Sequence, residues 1–288
     1  MSTKNFGQAL SEIIDNASEA NRAKQPQTDE DYEGDDGLMY CHKCNSPRQT
    51  VVDLGNGNIK TVWCDCKCMA EKHLREAEEL EEKKNQRKVN QNRSKAFYYS
   101  SMREWTFERD DRKNPRISDA LKRYVDQFSY FYEKGQGLLL YGTVGTGKTY
   151  LAACVVNAVI DNMYSAKMTN FSRILNELQS SFDDRQKYID EICKYSLLVI
   201  DDLGAERDSG YAREQVYSVI DSRYQTNKPI IITTNLSYAE IVGCTDMDRK
   251  RIYDRILERC HPIEVKGESR RKERAKQNYN MMNHMLGL

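Results

Sequence analysis

Neither charge dominates this chain, and no long apolar run interrupts it. Forty-four Lys and Arg balance 44 Asp and Glu over 288 residues, which excludes a global field for drawing in nucleic acid and leaves only local patches. No stretch reaches the roughly 18 apolar residues that a membrane-spanning helix needs, and the N-terminus lacks the basic-then-apolar order of a signal peptide. A cytoplasmic location is therefore expected. Internal repeats and low-complexity tracts are absent too. What is present is a 39% hydrophobic fraction, enough for an ordinary core, beside a 31% charged fraction that implies long solvated helices. That balance excludes a fully disordered chain, and the length predicts one main domain plus a smaller one.

Charge is unevenly placed. Residues 1–40 hold three basic and nine acidic side chains, whereas residues 246–276 hold eleven basic and seven acidic ones. An acidic head and a basic tail point to different partners. Of nine cysteines, five crowd between Cys41 and Cys68, and without a secretory signal this reads as metal ligation before disulfides.

Residues 5–20 place Phe6, Leu10, Ile13, Ile14 and Ala17 at helical spacing, a stripe that packs on its own small domain or docks another protein. Asn21 to Gly37 is polar and acidic and reads as a linker. Residues 69–95 form a charged helix, acidic first and basic last, as the helix dipole favours. The expected organisation is a helix and acidic linker over 1–37, a zinc module over 38–68, a linker helix over 69–96, and a main domain over 97–288. In that domain apolar runs at Gly137–Tyr141, Lys167–Phe171, Ser196–Ile200, Pro229–Thr234 and Pro262–Val265 alternate with helical periods. The fold class is therefore α/β, with a parallel sheet covered by helices on both faces.

Three signals carry chemistry. Gly142, Thr143, Val144, Gly145, Thr146, Gly147, Lys148 and Thr149 match GxxxxGK[ST] between a strand and a helix. Glycines let backbone N–H groups converge on phosphates, Lys148 reaches the β- and γ-phosphates of ATP, and the Thr149 hydroxyl ligates Mg²⁺. About fifty residues on, the run Leu197–Ile200 ends in Asp201, assigned to the Mg²⁺ shell, and Asp202, assigned to the attacking water, with Glu206 a weaker candidate for that second role. Thr233, Thr234 and Asn235 close a third strand, where Asn235 can hold the water or sense the γ-phosphate. Together these describe an ATPase core.

Cys41 and Cys44 form CxxC; Cys64, Cys66 and Cys68 form CxCxC, separated from Cys44 by nineteen residues. Two thiolate pairs flanking a hairpin, Val51–Leu54 and Ile59–Trp63, make a tetrahedral Zn²⁺ site. Cys41, Cys44, Cys64 and Cys66 are the favoured quartet, with Cys68 the alternative fourth ligand and His42 and His73 behind them. Cys154, Cys193, Cys244 and Cys260 read as packing residues.

Over residues 38–276 the chain resembles AAA+ ATPases of the bacterial helicase-loader type, the DnaC/DnaI-like proteins and their phage relatives. The resemblance rests on GTVGTGKT (142–149), LLVIDDLGAE (197–206), Arg223-Tyr224, IIITTNL (230–236) and GESRR (267–271). It implies an AAA+ P-loop domain behind a zinc module that binds the helicase or tunes that contact. It also implies an arginine finger at Arg255, with Arg251 and Arg259 as alternatives, and a second sensor at Arg271 or Arg270. Phe107, where the ATPase domain of the family begins, becomes a candidate wall for adenine or else a plain core residue. The implied function is ATP-dependent loading of the hexameric replicative DNA helicase onto single-stranded DNA, through self-association of the AAA+ domains and hydrolysis at subunit interfaces. Arg249, Lys250, Arg251, Arg270, Arg271, Lys272, Arg274 and Lys276 are candidates for a DNA-backbone track or a solvated face. The alternatives are a transposition-assisting ATPase of insertion elements, an adaptor holding ATP without turnover and, more weakly, a small-molecule kinase.

Overall fold

Strands buried on both faces must be apolar along most of their length, and the three central runs of the second half obey this in a computed structural model that describes residues 13–20, 22–23, 30–55, 58–180, 184–205 and 209–288. The chain forms two compact units, Met1–Lys84 and Asn85–Leu288, described in turn. No helix among the described residues is long and apolar enough to cross a membrane.

In the first unit residues 13–20 are helical (α1). Helix α1 is fixed to its own module by polar groups: Asp15 pairs with Lys60 at 2.6 Å and the Ser18 hydroxyl accepts the Trp63 N–H at 3.0 Å. Ile13, from the expected apolar stripe, stays exposed, and Phe6 and Leu10 lie outside the described residues. The stretch expected to be linker up to Gly37 instead contributes β1 (Tyr32–Glu33), paired antiparallel with β2 (Met39–Tyr40). A buried Arg48–Asp31 ion pair at 2.9 Å explains the difference, because it draws the segment before residue 38 into the module. The hairpin joins β3 (Gln49–Asp53) to β4 (Ile59–Trp63), with Val51 opposite Thr61. Helix α2 (Lys67–Ala96) then runs from this unit into the next, with only Val89 and Ala96 buried.

The second unit holds five parallel strands in the order β6-β7-β8-β5-β9. They are β5 (Gly137–Tyr141), β6 (Ala166–Asn170), β7 (Leu197–Leu203), β8 (Ile230–Thr234) and β9 (Cys260–Glu264). Alternation sorts each strand between two cores: Leu138, Leu140, Val199 and Ile231 pack with α3 (Pro115–Asp126), α4 (Phe128–Lys134) and α5 (Lys148–Asp161). Leu139, Leu198, Ile200 and Ile232 pack with α6 (Phe171–Ser180), α7 (Arg185–Lys194), α8 (Gly210–Gln225), α9 (Tyr238–Val242) and α10 (Met247–Arg259). Helix α11 (Arg270–Leu286) ends the chain. Gly137 is required at the start of β5, since a Cβ there would stand 1.7 Å from the Ile230 carbonyl oxygen.

Arg223 ties the far end of the sheet together. It is 1% exposed, and its guanidinium donates to the carbonyls of Cys193, Tyr195, Ser196 and Pro229 at 2.5–3.1 Å. These carbonyls end α7 and lead into β7 and β8, so one side chain satisfies the backbone where two strands begin. Burial lowers its pKa to about 10, still far above neutrality. Replacing it with Ala strands those carbonyls, and Arg223→Ala should lose roughly 3 kcal/mol or more of unfolding free energy in urea titration. A loss below about 1 kcal/mol would show that water replaces the guanidinium.

Candidate nucleotide and metal sites

Parallel strands present their C-terminal ends at one edge, and a site forms where neighbouring strands leave in different directions. Strand β5 leads into the phosphate loop, whose glycines take backbone that side chains avoid: φ is +86° at Gly145 and +103° at Gly147, which caps α5. A Cβ on Gly145 would stand 2.2 Å from Ser269 Oγ, and one on Gly147 would stand 3.0 Å from the Arg270 guanidinium. The GESRR segment is thus seated directly on the loop, and the Arg270 N–H donates to Gly145 O at 3.0 Å.

Lys148 is buried and donates from Nζ to Gly142 O, Thr143 O and Asn235 Oδ1, each at 2.8 Å. Burial lowers its pKa, while Asp202 and Asp201 oppose the shift. Asp202 is forced into the left-handed region, φ +56°, at a shift in the β7–β8 register between Ile200 and Leu203. Asp201 stays buried, whereas Asp202 lines the cleft. The Asp202 carboxyl is pushed up by burial and by Asp201, against the pull of Lys148, Arg271 and Asn235. Strand β8 supports the pair. Thr233 Oγ1 accepts the Asp202 N–H at 2.9 Å and donates to Asp201 Oδ1 at 2.6 Å, and Thr234 Oγ1 donates to Leu203 O at 2.7 Å. Asn235 Nδ2 stands 3.5 Å from Asp202 Oδ1.

The cleft encloses about 290 Å³ and gathers Lys148, Thr149, Asp202, Asn235, Arg270 and Arg271. Both arginines left open for the second sensor therefore converge here, Arg270 also pairing with Asp111 at 2.9 Å. Arg274 joins them, so three residues named for the DNA track line this cleft. A larger cavity of about 600 Å³ opens beside Gly137 and Cys260, at the opposite strand ends, and contains none of these groups.

Phe107 is not a wall of this cleft. It is buried in the core, with the Lys122 ammonium over its ring. Trp105 and Tyr150 line the cleft, ring centroids 5.7 Å apart, with Arg109 and Asp111 nearby. A 3₁₀ turn at Phe107–Arg109 turns Phe107 inward and leaves Trp105, two residues earlier, at the rim. Neither Trp105 nor Tyr150 was among the sequence candidates; the position of Tyr150 directly after the loop threonine is a signal that could have found it, whereas nothing local marks Trp105. Arg255 lies outside the cleft of its own chain, paired with Asp221 at 2.8 Å and stacked on Tyr217 at 4.7 Å. Arg259 stacks on Tyr224 at 4.5 Å, and Arg251 is exposed. Glu206 lies outside the described residues.

In the first unit the sulfurs of Cys41, Cys44, Cys66 and Cys68 lie within 4.8 Å of one another. This corrects the expected quartet: Cys68 replaces Cys64. Cys64 extends the hairpin ladder, donating its N–H to Arg48 O at 2.7 Å, and its sulfur faces Pro47 O at 3.9 Å. Cys66 and Cys68 share the tight turn that opens α2, which brings their sulfurs to 3.3 Å. Burial opposes ionisation of Cys44, but the Ser46 hydroxyl and the N–H groups of Cys68 and Ser46 outweigh it and bring the thiol down to about 6. Cys68 is pushed up to about 12, first by its hydrogen bond with Cys66. Four soft donors converging in this way fit Zn²⁺.

A glycine-rich phosphate loop, an acidic strand end and a polar strand end at one edge of this five-stranded parallel sheet define an ATP-binding protein of the AAA+ class. Residues 68–278 match the family described as IstB-like ATP binding protein, and the chain belongs to that family. It is 27% identical over 207 residues to the replicative helicase loader DnaI of Bacillus subtilis, covering 67% of each chain. It is 28% identical over 162 residues to an insertion-sequence protein of Mycobacterium tuberculosis, covering 55% of this chain and 64% of that one. The crystal structure of the DnaC helicase loader superposes with a TM-score of 0.53 at 25% identity, covering 58% of this chain and all of that one.

The corrected cysteine quartet gives a direct test. Cys68→Ser should release zinc from the purified protein, measured by elemental analysis and chelator competition, whereas Cys64→Ser should keep it. Retention by Cys68→Ser with loss by Cys64→Ser would restore the original quartet.

Proposed function

We propose that this protein is an ATP-hydrolysing loader of the hexameric replicative helicase onto single-stranded DNA. One observation carries the enzymatic part: Asn235 accepts from Lys148 at 2.8 Å and stands 3.5 Å from Asp202, linking the residue that meets phosphate to the carboxylate beside it. Nucleotide phosphates would take over the Lys148 contacts now made to loop carbonyls, under the N–H groups of residues 142–149. The oxygen-only donor set of Thr149, Asp201 and Asp202 suits Mg²⁺, with Thr149 and Asp201 as its holders. An ion held by these residues would supply positive charge against the phosphate oxygens. Asp202, the carboxylate that lines the cleft, is placed to accept a proton from the attacking water. Arg271 meets γ-phosphate charge from the same chain.

Arg255 is proposed to act across a subunit boundary. Its pairing with Asp221 keeps it from its own cleft, and a neighbour's nucleotide would draw it out, so turnover should depend on assembly. The cysteine module ahead of the ATPase supports a loader, in which that module grips the helicase. The insertion-element reading keeps one specific support, the IstB-like family itself.

The test is ATP turnover with and without single-stranded DNA and a bacterial replicative helicase. Specific activity should rise with protein concentration and change with either partner. Arg255→Ala should abolish turnover yet still bind ATP, and Lys148→Ala should lose both. Single-strand affinity should fall with salt and rise with ATP. Turnover indifferent to DNA and helicase would favour the insertion-element reading.

A further inference from the structure

Just after helix α2, Tyr98 reaches a residue 103 positions away. Its hydroxyl donates to Asp201 Oδ2 at 2.8 Å, while Thr233 holds Oδ1 at 2.6 Å. The buried carboxylate thus has a neutral donor on each oxygen, which offsets part of the cost of keeping it out of water. Burial and the Asp201 charge both raise the Tyr98 pKa, so the phenol remains a donor.

The ring is itself held in place. Asp201 pairs across the sheet with Asn170, whose side chain accepts the Arg173 N–H at 2.9 Å. The Arg173 guanidinium then lies over the rings of Tyr98 and Tyr99, at 5.3 and 5.0 Å. Ala96 and Phe97 are buried in the core, and Lys167 Nζ donates to Lys95 O at 2.8 Å, so the chain entering Tyr98 is anchored. Tyr99 shares the stack but is 56% exposed.

We propose that Tyr98 is a positioning residue for the metal site: its hydroxyl fixes the orientation of the Asp201 carboxylate and thereby sets how strongly Mg²⁺ tightens nucleotide binding. The inference rests on the reading of Asp201 as a metal holder. A carboxylate held on both oxygens offers its remaining lone pairs in one direction, whereas one held only by Thr233 can turn about its terminal torsion. Hydrogen-bond partners of metal-holding groups typically tune metal affinity by about 10- to 100-fold.

The experiment measures ATP affinity by calorimetry, with Mg²⁺ and with EDTA, for the full chain and for Tyr98→Phe and Tyr99→Phe. In Tyr98→Phe the gain in affinity conferred by Mg²⁺ should shrink by about tenfold, while affinity in EDTA stays at the wild-type value. Tyr99→Phe should match wild type in both conditions. An undiminished Mg²⁺ gain in Tyr98→Phe overturns the proposal and leaves the nucleotide site standing. An equal loss with and without Mg²⁺ also overturns it, since the ring would then serve only the fold. Wild-type protein that binds ATP equally well in EDTA overturns the metal reading of Asp201 and the inference with it.

Discussion

Burying an ammonium requires oxygen acceptors at hydrogen-bonding distance, and the site is organised around meeting that need for Lys148. Two acceptors are carbonyls of its own loop, which the glycines bend back toward the helix that Lys148 begins. The third comes from the end of β8, a strand hydrogen-bonded to β5. That single contact requires β8 to end in a polar side chain at the height where the loop leaves β5. It therefore constrains the sheet order as well as the residue type. Burial disfavours the charged lysine and Asp202 and Asp201 oppose that cost, so the acidic end of β7 and the basic start of α5 stabilise one another.

Two adjacent carboxylates on a strand already face opposite sides of the sheet. At Asp202 the strand also departs from regularity, with a register shift and a positive φ, and this group lines the cleft while Asp201 stays buried. Such backbone costs of order 1 kcal/mol or more and persists where surrounding contacts over-determine it. Here Thr233 does so by accepting from Asp202 and donating to Asp201, and Thr234 holds the next carbonyl. The polar end of β8 is thus a splint for the acidic end of β7.

Much of this was legible in the sequence for a simple reason: strands covered on both faces must be apolar along most of their length. Gly137–Tyr141 and the apolar run entering Asp201 announce themselves, together with the polar residues where they stop. Features set by three-dimensional closure were not legible. Tyr98 meets Asp201 across 103 residues, and no local pattern marks a tyrosine as a partner of a distant carboxylate. Trp105 and Phe107 differ only in which way one short turn faces. The three late cysteines alternate evenly, and spacing cannot show that the ladder carries Cys64 aside while the start of α2 folds Cys68 inward. Helix α7 was missed because its apolar positions, Ile189, Ile192 and Cys193, are sparse in a charged segment.

The central claim is that nucleotide binds where Lys148 meets the strand ends, with Trp105 at the rim. Trp105 is one of two tryptophans, and the other, Trp63, lies in the first unit. Intrinsic fluorescence titrated with Mg²⁺ and ATP, read in wild type, Trp63→Phe and Lys148→Ala, therefore reports on the cleft. The account predicts a saturable change that survives Trp63→Phe and disappears in Lys148→Ala. A change that persists in Lys148→Ala, or that vanishes with Trp63→Phe, would contradict it.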